Sequence, residues 1–235
     1  MANIITRQIP NTITCCNLIS GCIAVSYAFA GQQTMALAFI ILGAVFDFFD
    51  GMSARLLKVS SPIGKELDSL ADDVTFGVAP ATMVFTLLWE MKYPAQLDGL
   101  MGILPYFAFL IAAFSALRLA KFNLDERQTT SFIGLPTPAN ALFWGSLIVG
   151  GGARLEHSVY ALPAILALII LSCWLLVAEV PMFALKFKQW GWRGNEVKYI
   201  FIISCIPLLV FLRVSAFAVI IAWYVILSIW VNRKA

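Results

Sequence analysis

The sequence predicts an all-α protein: a polytopic transmembrane helical bundle of about eight spans, preceded by a short N-terminal interfacial segment. Three observations predict it. The 235 residues are 61% hydrophobic and only 12% charged, against roughly 25% charged in soluble domains. The apolar stretches approach or exceed the roughly 20 residues that cross a bilayer. The basic residues fall into alternate loops, as they do in membrane proteins of fixed orientation.

Taken in order, Ile4, Ile5 and Ile9 precede Pro10 and are expected to lie in the membrane interface. Arg7 is the only early charge, Pro10 interrupts the segment, and no small-residue cleavage site follows. The first span is therefore expected to be retained. Spans are expected at 12–30, 34–57, 67–90, 100–122, 136–151, 160–185, 197–212 and 214–232. The last two are short for a bilayer. They read either as a tight hairpin about Leu212-Arg213-Val214 or as one long tilted helix. No repeat, low-complexity tract or soluble domain interrupts them, so residues 1–235 read as a single membrane domain. The longest polar stretch, Lys186 to Lys198, is too short to fold alone.

Charge tests this topology. Eight spans put both termini on one side. With them fall Arg7, Arg55, Lys58, Lys65, Arg118, Lys121, Arg127, Lys186, Lys188, Arg193, Lys198, Arg233 and Lys234, leaving Lys92, Arg154 and Arg213 for the other side. The positive-inside rule places the richer side in the cytoplasm, which makes this a cytoplasmic (inner) membrane protein with both ends inside. A net charge of +3 is too small and too dispersed for nucleic acid, but suits loops against anionic lipid. Cys15, Cys16, Cys22, Cys173 and Cys205 match no zinc spacing, and their odd number argues against a full disulfide framework. They read as small buried hydrophobes.

Against this apolar background stand Asp47, Asp50, Asp68 and Asp72. Ionisable groups at membrane depth are costly and tend to mark function. Spacings of i, i+3 and i, i+4 put each pair on one helix face. Ser60-Ser61-Pro62 between them signals a turn. A short connection makes spans two and three antiparallel neighbours, so all four carboxylates can meet in one pocket at the membrane boundary. Such crowding is relieved by bound cations. The one histidine, His157, is expected on the opposite side, and no cysteine lies near, so the pocket is oxygen-only. That suits Mg²⁺, Mn²⁺ or Ca²⁺ and disfavours zinc, and four carboxylates have room for two ions. Gly51 and Ala54 follow on the same side of the helix and leave room for a ligand. Arg55 is placed to pair with an aspartate or a phosphate, while Asp73 points about 100° away from Asp72. A purely structural salt-bridge network would need matching cations, and only Arg55, Lys58 and Lys65 are local.

Asp47, Asp50, Gly51, Ala54, Arg55, Gly64, Asp68 and Asp72 match, gap for gap, the D-x2-D-G-x2-A-R-x8-G-x3-D-x3-D signature of the CDP-alcohol phosphotransferases. The chain resembles that family over this 26-residue motif, and spans one to six resemble its core, with two C-terminal spans added. The resemblance implies phosphoryl-group transfer. A CDP-linked lipid would bind through its pyrophosphate to two divalent ions held by the four aspartates, an alcohol would attack the lipid-side phosphate, and CMP would leave. By the same resemblance Asp72 is the general base, Asp50, Gly51, Ala54, Arg55 and Gly64 meet the CDP moiety, and a homodimer is expected.

Leu117 to Asn123, Phe132 to Ala139 and Pro10 to Thr14 resemble the serine-using branch, the CDP-diacylglycerol–serine O-phosphatidyltransferases. That implies CDP-diacylglycerol and L-serine as substrates. Arg118 suits a carboxylate, and Lys121 suits the same carboxylate or the lipid phosphate. Asn123 and Thr137 lie in the matching segments and join them as acceptor-site candidates. The alternative reading of Arg118 and Lys121 is that they are ordinary positive-inside anchors. Asn11 and Thr14 are candidates for the nucleotide or simply open the first helix. Gly134 to Pro138 is expected as an irregular turn lining a cavity. Two alternatives stand beside serine transfer. Transfer to glycerol 3-phosphate or an inositol compound would want a denser basic cluster than Arg118, Lys121 and Arg127. A divalent-cation transporter would want polar groups along span three.

Overall fold

The computed structural model describes residues 4–59, 61–93, 99–125, 132–152, 154–155, 158, 160–183, 191–192 and 195–232, with side chains from residue 8 other than those of Phe132 and Asn232. Arg127, His157, Lys186, Lys188, Arg193, Arg233, Lys234 and Ser60 lie outside the described residues or, like the Arg7 side chain, outside the described side chains.

The described chain is helical almost throughout. The helices are α1 (Ile4–Phe29), α2 (Gln33–Leu57), α3 (Pro62–Asp72), α4 (Ala79–Glu90), α5 (Leu110–Leu124), α6 (Thr137–Gly151), α7 (Ala161–Val177), α8 (Glu196–Leu212) and α9 (Ala216–Asn232). One two-residue antiparallel ladder joins β1 (Phe132–Ile133) to β2 (Pro181–Met182). Five helical stretches are long and apolar enough to cross a membrane: Gln8–Phe29, Gln33–Leu57, Pro62–Glu90, Leu104–Leu124 and Glu196–Val231. Ala161–Val177 is a shorter apolar helix.

The expected N-terminal segment is not a separate element. α1 runs without a break from Ile4, with Pro10 inside it. Pro10 lies in the second turn, where it removes the bond that an N–H would give to the Thr6 carbonyl, yet the helix continues through it. The third span begins at Pro62 rather than 67. Ser61 caps its first turn by accepting from the Gly64 N–H at 3.0 Å, and Pro62 supplies the fixed φ that suits a first helical position. The span expected at 160–185 stops as a helix at Val177: Ala178 is extended, and Pro181 and Met182 pair with the strand before α6.

The third span is not a simple helix. Between α3 and α4, Asp73–Val78 form a π-helical turn in which the Ala79 N–H reaches back to the Val74 carbonyl. Pro80, which has no N–H to give and whose ring crowds the carbonyl four residues back, accounts for the widened turn. Two-thirds of this span is buried, at 67%, against 17–33% for the other four. It is therefore the central element. Ala79, Ala81, Met83, Val84 and Leu88 are fully enclosed, packed with Ile40 of α2, Ile111 of α5 and Trp144 of α6.

The last two helices form a hairpin. Trp223 Nε1 donates to Ser204 Oγ at 3.1 Å, and the Phe201 and Tyr224 rings lie 5.8 Å apart. In one straight helix Ser204 and Trp223 would be separated by about 28 Å. Arg213, at φ 50, makes the reversal. Contacts of Thr14 with Asp50, of Asn123 with Ser69, of Arg118 with Thr137 and of Leu135 with Leu175 gather the start of α1, the end of α2, the starts of α3 and α6 and the ends of α5 and α7 at one end of the bundle. Arg55, Lys58, Lys65, Arg118 and Lys121 all sit there.

Candidate active site

The site is built on the antiparallel turn between α2 and α3. α2 ends as Lys58 enters the left-handed region at φ 52 and ψ 41, with its N–H returning to the Arg55 carbonyl and that of Val59 to Ala54. Ser61 restarts the chain as α3. This tight exchange brings oxygens of Asp47, Asp50 and Asp68 within 4.8 Å of one another. Asp72 is not in that trio. It stands one helical turn deeper, 9% exposed, and feels the charges of Asp47, Asp68 and Asp50.

α1 braces both pairs. Thr14 Oγ1 donates to Asp50 Oδ2 at 2.7 Å, and Asn17 Nδ2 donates to Asp72 Oδ1 at 3.0 Å. Asn17 is fully buried, and its carbonyl accepts from Thr75 Oγ1 at 3.1 Å. The close approach behind the aspartates depends on glycine. A Cβ on Gly43 would stand 2.9 Å from Asn17 Oδ1 and against Thr75 Cγ2, and one on Gly21 would strike the Thr75 backbone. Sequence reasoning missed Asn17, although a signal existed: Asn11, Thr14 and Asn17 recur every third residue and give α1 one polar face.

Over the aspartates opens a cavity of about 720 Å³, lined by Asp50, Gly51, Ala54, Gly64 and Asp68 from the motif and by Asn11 and Thr14 from α1. Gly51 faces open space, its nearest neighbour at a built Cβ being Arg55 Nη2 at 3.8 Å. At Gly64 a Cβ would crowd Asn11 Oδ1 and Ser61 Oγ at 3.0 Å. Arg55 is exposed and folds back on its own helix, Nε donating to the Gly51 carbonyl at 2.9 Å, and it does not line the cavity.

The remaining candidates occupy the next sector. Arg118 is 7% exposed, and its Nη1 reaches Thr137 Oγ1 at 3.4 Å. Its guanidinium lies 5.4 Å from the Phe122 ring centroid and feels the charge of Asp72. Arg118 Nε has no hydrogen-bond partner. Lys121 joins Arg118 in lining a second cavity. Asn123 is instead a brace: its amide donates to Ser69 Oγ at 2.8 Å and its carbonyl accepts from Lys65 Nζ at 2.8 Å, tying α5 to α3. Asp73 faces away from the trio, toward Gly77 and Ser115.

The donor set fits a hard divalent cation. Only carboxylate oxygens converge, and Asp68 Oδ1 is buried with no hydrogen-bond partner, as an oxygen reserved for a metal would be. An oxygen-ligated cation beside a nucleotide-sized cavity is the arrangement used to transfer phosphorus groups.

The profile of the CDP-alcohol phosphatidyltransferase family matches residues 7–230. The chain belongs to that family. Among curated CDP-alcohol phosphatidyltransferases it is 40% identical over 132 residues to the CDP-diacylglycerol–serine O-phosphatidyltransferase of Bacillus subtilis, covering 56% of this chain and 70% of that one. It is 36% identical over 135 residues to the enzyme of the same name from Helicobacter pylori, covering 57% and 54%. The Saccharomyces cerevisiae enzyme of that name is 41% identical over 109 residues, covering 43% and 36%. The chain thus spans about half or less of the latter two.

Proposed function

We propose that the protein transfers the phosphatidyl group of CDP-diacylglycerol to the hydroxyl of L-serine, giving phosphatidylserine and CMP. The observation that carries this reading is the trio Asp47, Asp50 and Asp68, gathered within 4.8 Å, of which Asp50 and Asp68 line a cavity together with Asn11, Thr14, Gly51, Ala54 and Gly64. The relatives' names supply the acceptor, and the position of Arg118 between Thr137 and the field of Asp72 suits a bound carboxylate.

In this reading Asp47, Asp50, Asp68 and Asp72 hold two Mg²⁺ or Mn²⁺ ions, with Ca²⁺ as a further occupant. When bound, the ions neutralise the pyrophosphate and stabilise departing CMP. The chain's own residues do the rest. Gly51 and Gly64 let the nucleotide approach the backbone. Thr14 orients Asp50, and Asn17 fixes the rotamer of Asp72. Asp72 takes the proton of the serine hydroxyl as that oxygen attacks the lipid-side phosphorus and the bond to CMP breaks. Arg118 and Lys121 hold the serine carboxylate or the lipid phosphate, Thr137 steadies Arg118, and Arg55 swings from Gly51 to a substrate phosphate. Asn123 contributes by fixing α5 against α3.

Residues 1–235 act as one domain of eight spans, counting α6, α7 and each arm of the α8–α9 hairpin. The acyl chains stay in lipid, the site and both termini face the cytoplasm, and the membrane is the inner one. Two chains pair as a homodimer. The transit-site reading gains no support from the third span, where Thr82 and Thr86 turn back on carbonyls of their own helix. The test is CMP release from CDP-diacylglycerol with Mg²⁺ or Mn²⁺ while the alcohol is varied. Serine-dependent release supports the proposal. Release only with glycerol 3-phosphate or inositol moves the acceptor, and metal uptake by vesicles without release would favour a transporter.

A further inference from the structure

Thr75, Thr82 and Thr86 are all buried in the third span, but they use their hydroxyls differently. Thr82 and Thr86 donate to carbonyls four residues back on their own helix, at 2.8 and 3.1 Å, the usual habit of a helical threonine. Thr75, enclosed in the π-helical turn, donates instead across to the Asn17 carbonyl of α1, at 3.1 Å. Its two branches enter two glycine gaps. A Cβ built on Gly21 of α1 would strike the Thr75 hydroxyl and stand 2.9 Å from its Cα, and one on Gly43 of α2 would stand 2.5 Å from its methyl carbon. β-Branching stiffens χ1, so the two gaps together fix where the hydroxyl points.

Thr75 grips the residue that orients Asp72. Asn17 Nδ2 donates to Asp72 Oδ1 at 3.0 Å, while Asn17 Oδ1, enclosed beside the Gly43 gap, has no hydrogen-bond partner. With one end of the amide unbonded, its aim depends on where the α1 backbone carries it. The bond from Thr75 ties that backbone to the span that bears Asp72, three residues from Asp72 itself. We propose that Thr75 is a positioning residue: its hydroxyl latches the Asn17 backbone to the π-helical turn, and through Asn17 it holds the Asp72 carboxylate in line with the acceptor hydroxyl. This deepens the reading of Asp72 as general base and rests on it. A base displaced by about 1 Å loses on the order of a hundredfold in rate, so a hydroxyl remote from the substrates has leverage on turnover. The methyl and the hydroxyl have separate tasks. The methyl fills the Gly43 gap, and the hydroxyl makes the latch. Valine keeps the branched shape without the bond, and serine keeps the bond without the methyl.

The experiment measures CMP release by the purified full chain in detergent with CDP-diacylglycerol, Mn²⁺ and L-serine. Thr75→Val is expected to lower kcat about tenfold or more, with KM for both substrates within about twofold of wild type. Thr75→Ser should recover most of that loss. Adding Thr75→Val to Asn17→Ala should lower kcat by no more than about twofold beyond Asn17→Ala alone, because the path through the amide is already cut. Three results overturn the latch. One is Thr75→Val with kcat within about twofold of wild type. Another is an equal loss with valine and serine, which marks packing. The third is full multiplication of the two losses in the double variant. If Thr75→Val does not fold, Thr75→Ala takes its place: alanine at about a tenth of the kcat of serine supports the latch, and equal values overturn it. Asp72→Asn is assayed alongside. If it keeps turnover, or if wild-type protein releases no CMP with serine, the base reading falls and the latch with it. If it is inactive and Thr75→Val is not impaired, the latch alone falls.

Discussion

Asp72 and Asn17 form a pair that a motif match does not reveal. The carboxylate comes from α3, and the amide that orients it comes from α1, 55 residues away. A hydrogen bond to a charged group contributes about 1.5–3 kcal/mol. Asn17→Ala should therefore cut kcat by roughly 10- to 100-fold while KM for CDP-diacylglycerol changes little, as steady-state CMP release would show. Asp72→Asn should abolish turnover and leave some nucleotide binding, measured by labelled-CDP retention. Turnover surviving in that variant removes Asp72 from its place as base. The eight motif residues were legible because their types and gaps are rigid. Asn17 was not picked out because the polar face it shares with Asn11 and Thr14 carries no sign of which distant carboxylate each residue meets. Arg55 taught the converse lesson. Its place in the motif is plain, yet its side chain rests on the Gly51 carbonyl outside the cavity.

Among the elements, the third span shows where sequence periodicity stops informing. Its apolar run was readable, but its start at Pro62 follows from the Ser61 cap, and its π-helical turn follows from Pro80. That turn sits directly after Asp72, so it sets how the carboxylate end of the helix meets the buried stretch below. Close packing of α1 and α2 against this turn needs Gly43. Gly43→Val should push α2 off Thr75 and Asn17, costing about 1–3 kcal/mol or more in overpacking. The expected result is a lower midpoint in a thermal unfolding scan in detergent and a larger proportional loss of CMP release, because the shift falls on the helix that carries Asp47 and Asp50. A variant with unchanged unfolding and activity would show that α1 and α2 have slack behind the site. The hairpin of α8 and α9 was left undecided by hydropathy, since two 17-residue apolar runs read alike whether stacked or continuous. The bond from Trp223 to Ser204 decides it.

For the whole molecule, an even number of spans makes an accessible prediction. Reporters fused to the two termini should both read cytoplasmic, and a reporter placed between α8 and α9 at Arg213 should read the opposite side. Termini on different sides would break the eight-span count. Removal of divalent ions with EDTA should abolish CMP release, and Mn²⁺ or Mg²⁺ in excess should restore it. Activity untouched by chelation would remove the aspartates from a metal-holding role. By itself the sequence determined the membrane class, the helical bundle, the basic end and the eight motif positions, because hydropathy, charge bias and fixed spacing are local properties of a chain. Only the tertiary structure decided that three aspartates form a tight trio while Asp72 stands deeper on Asn17, and that Asn123 is a brace. Those relations join helices far apart in sequence, and they are set by how closely glycines and a widened turn let the helices approach.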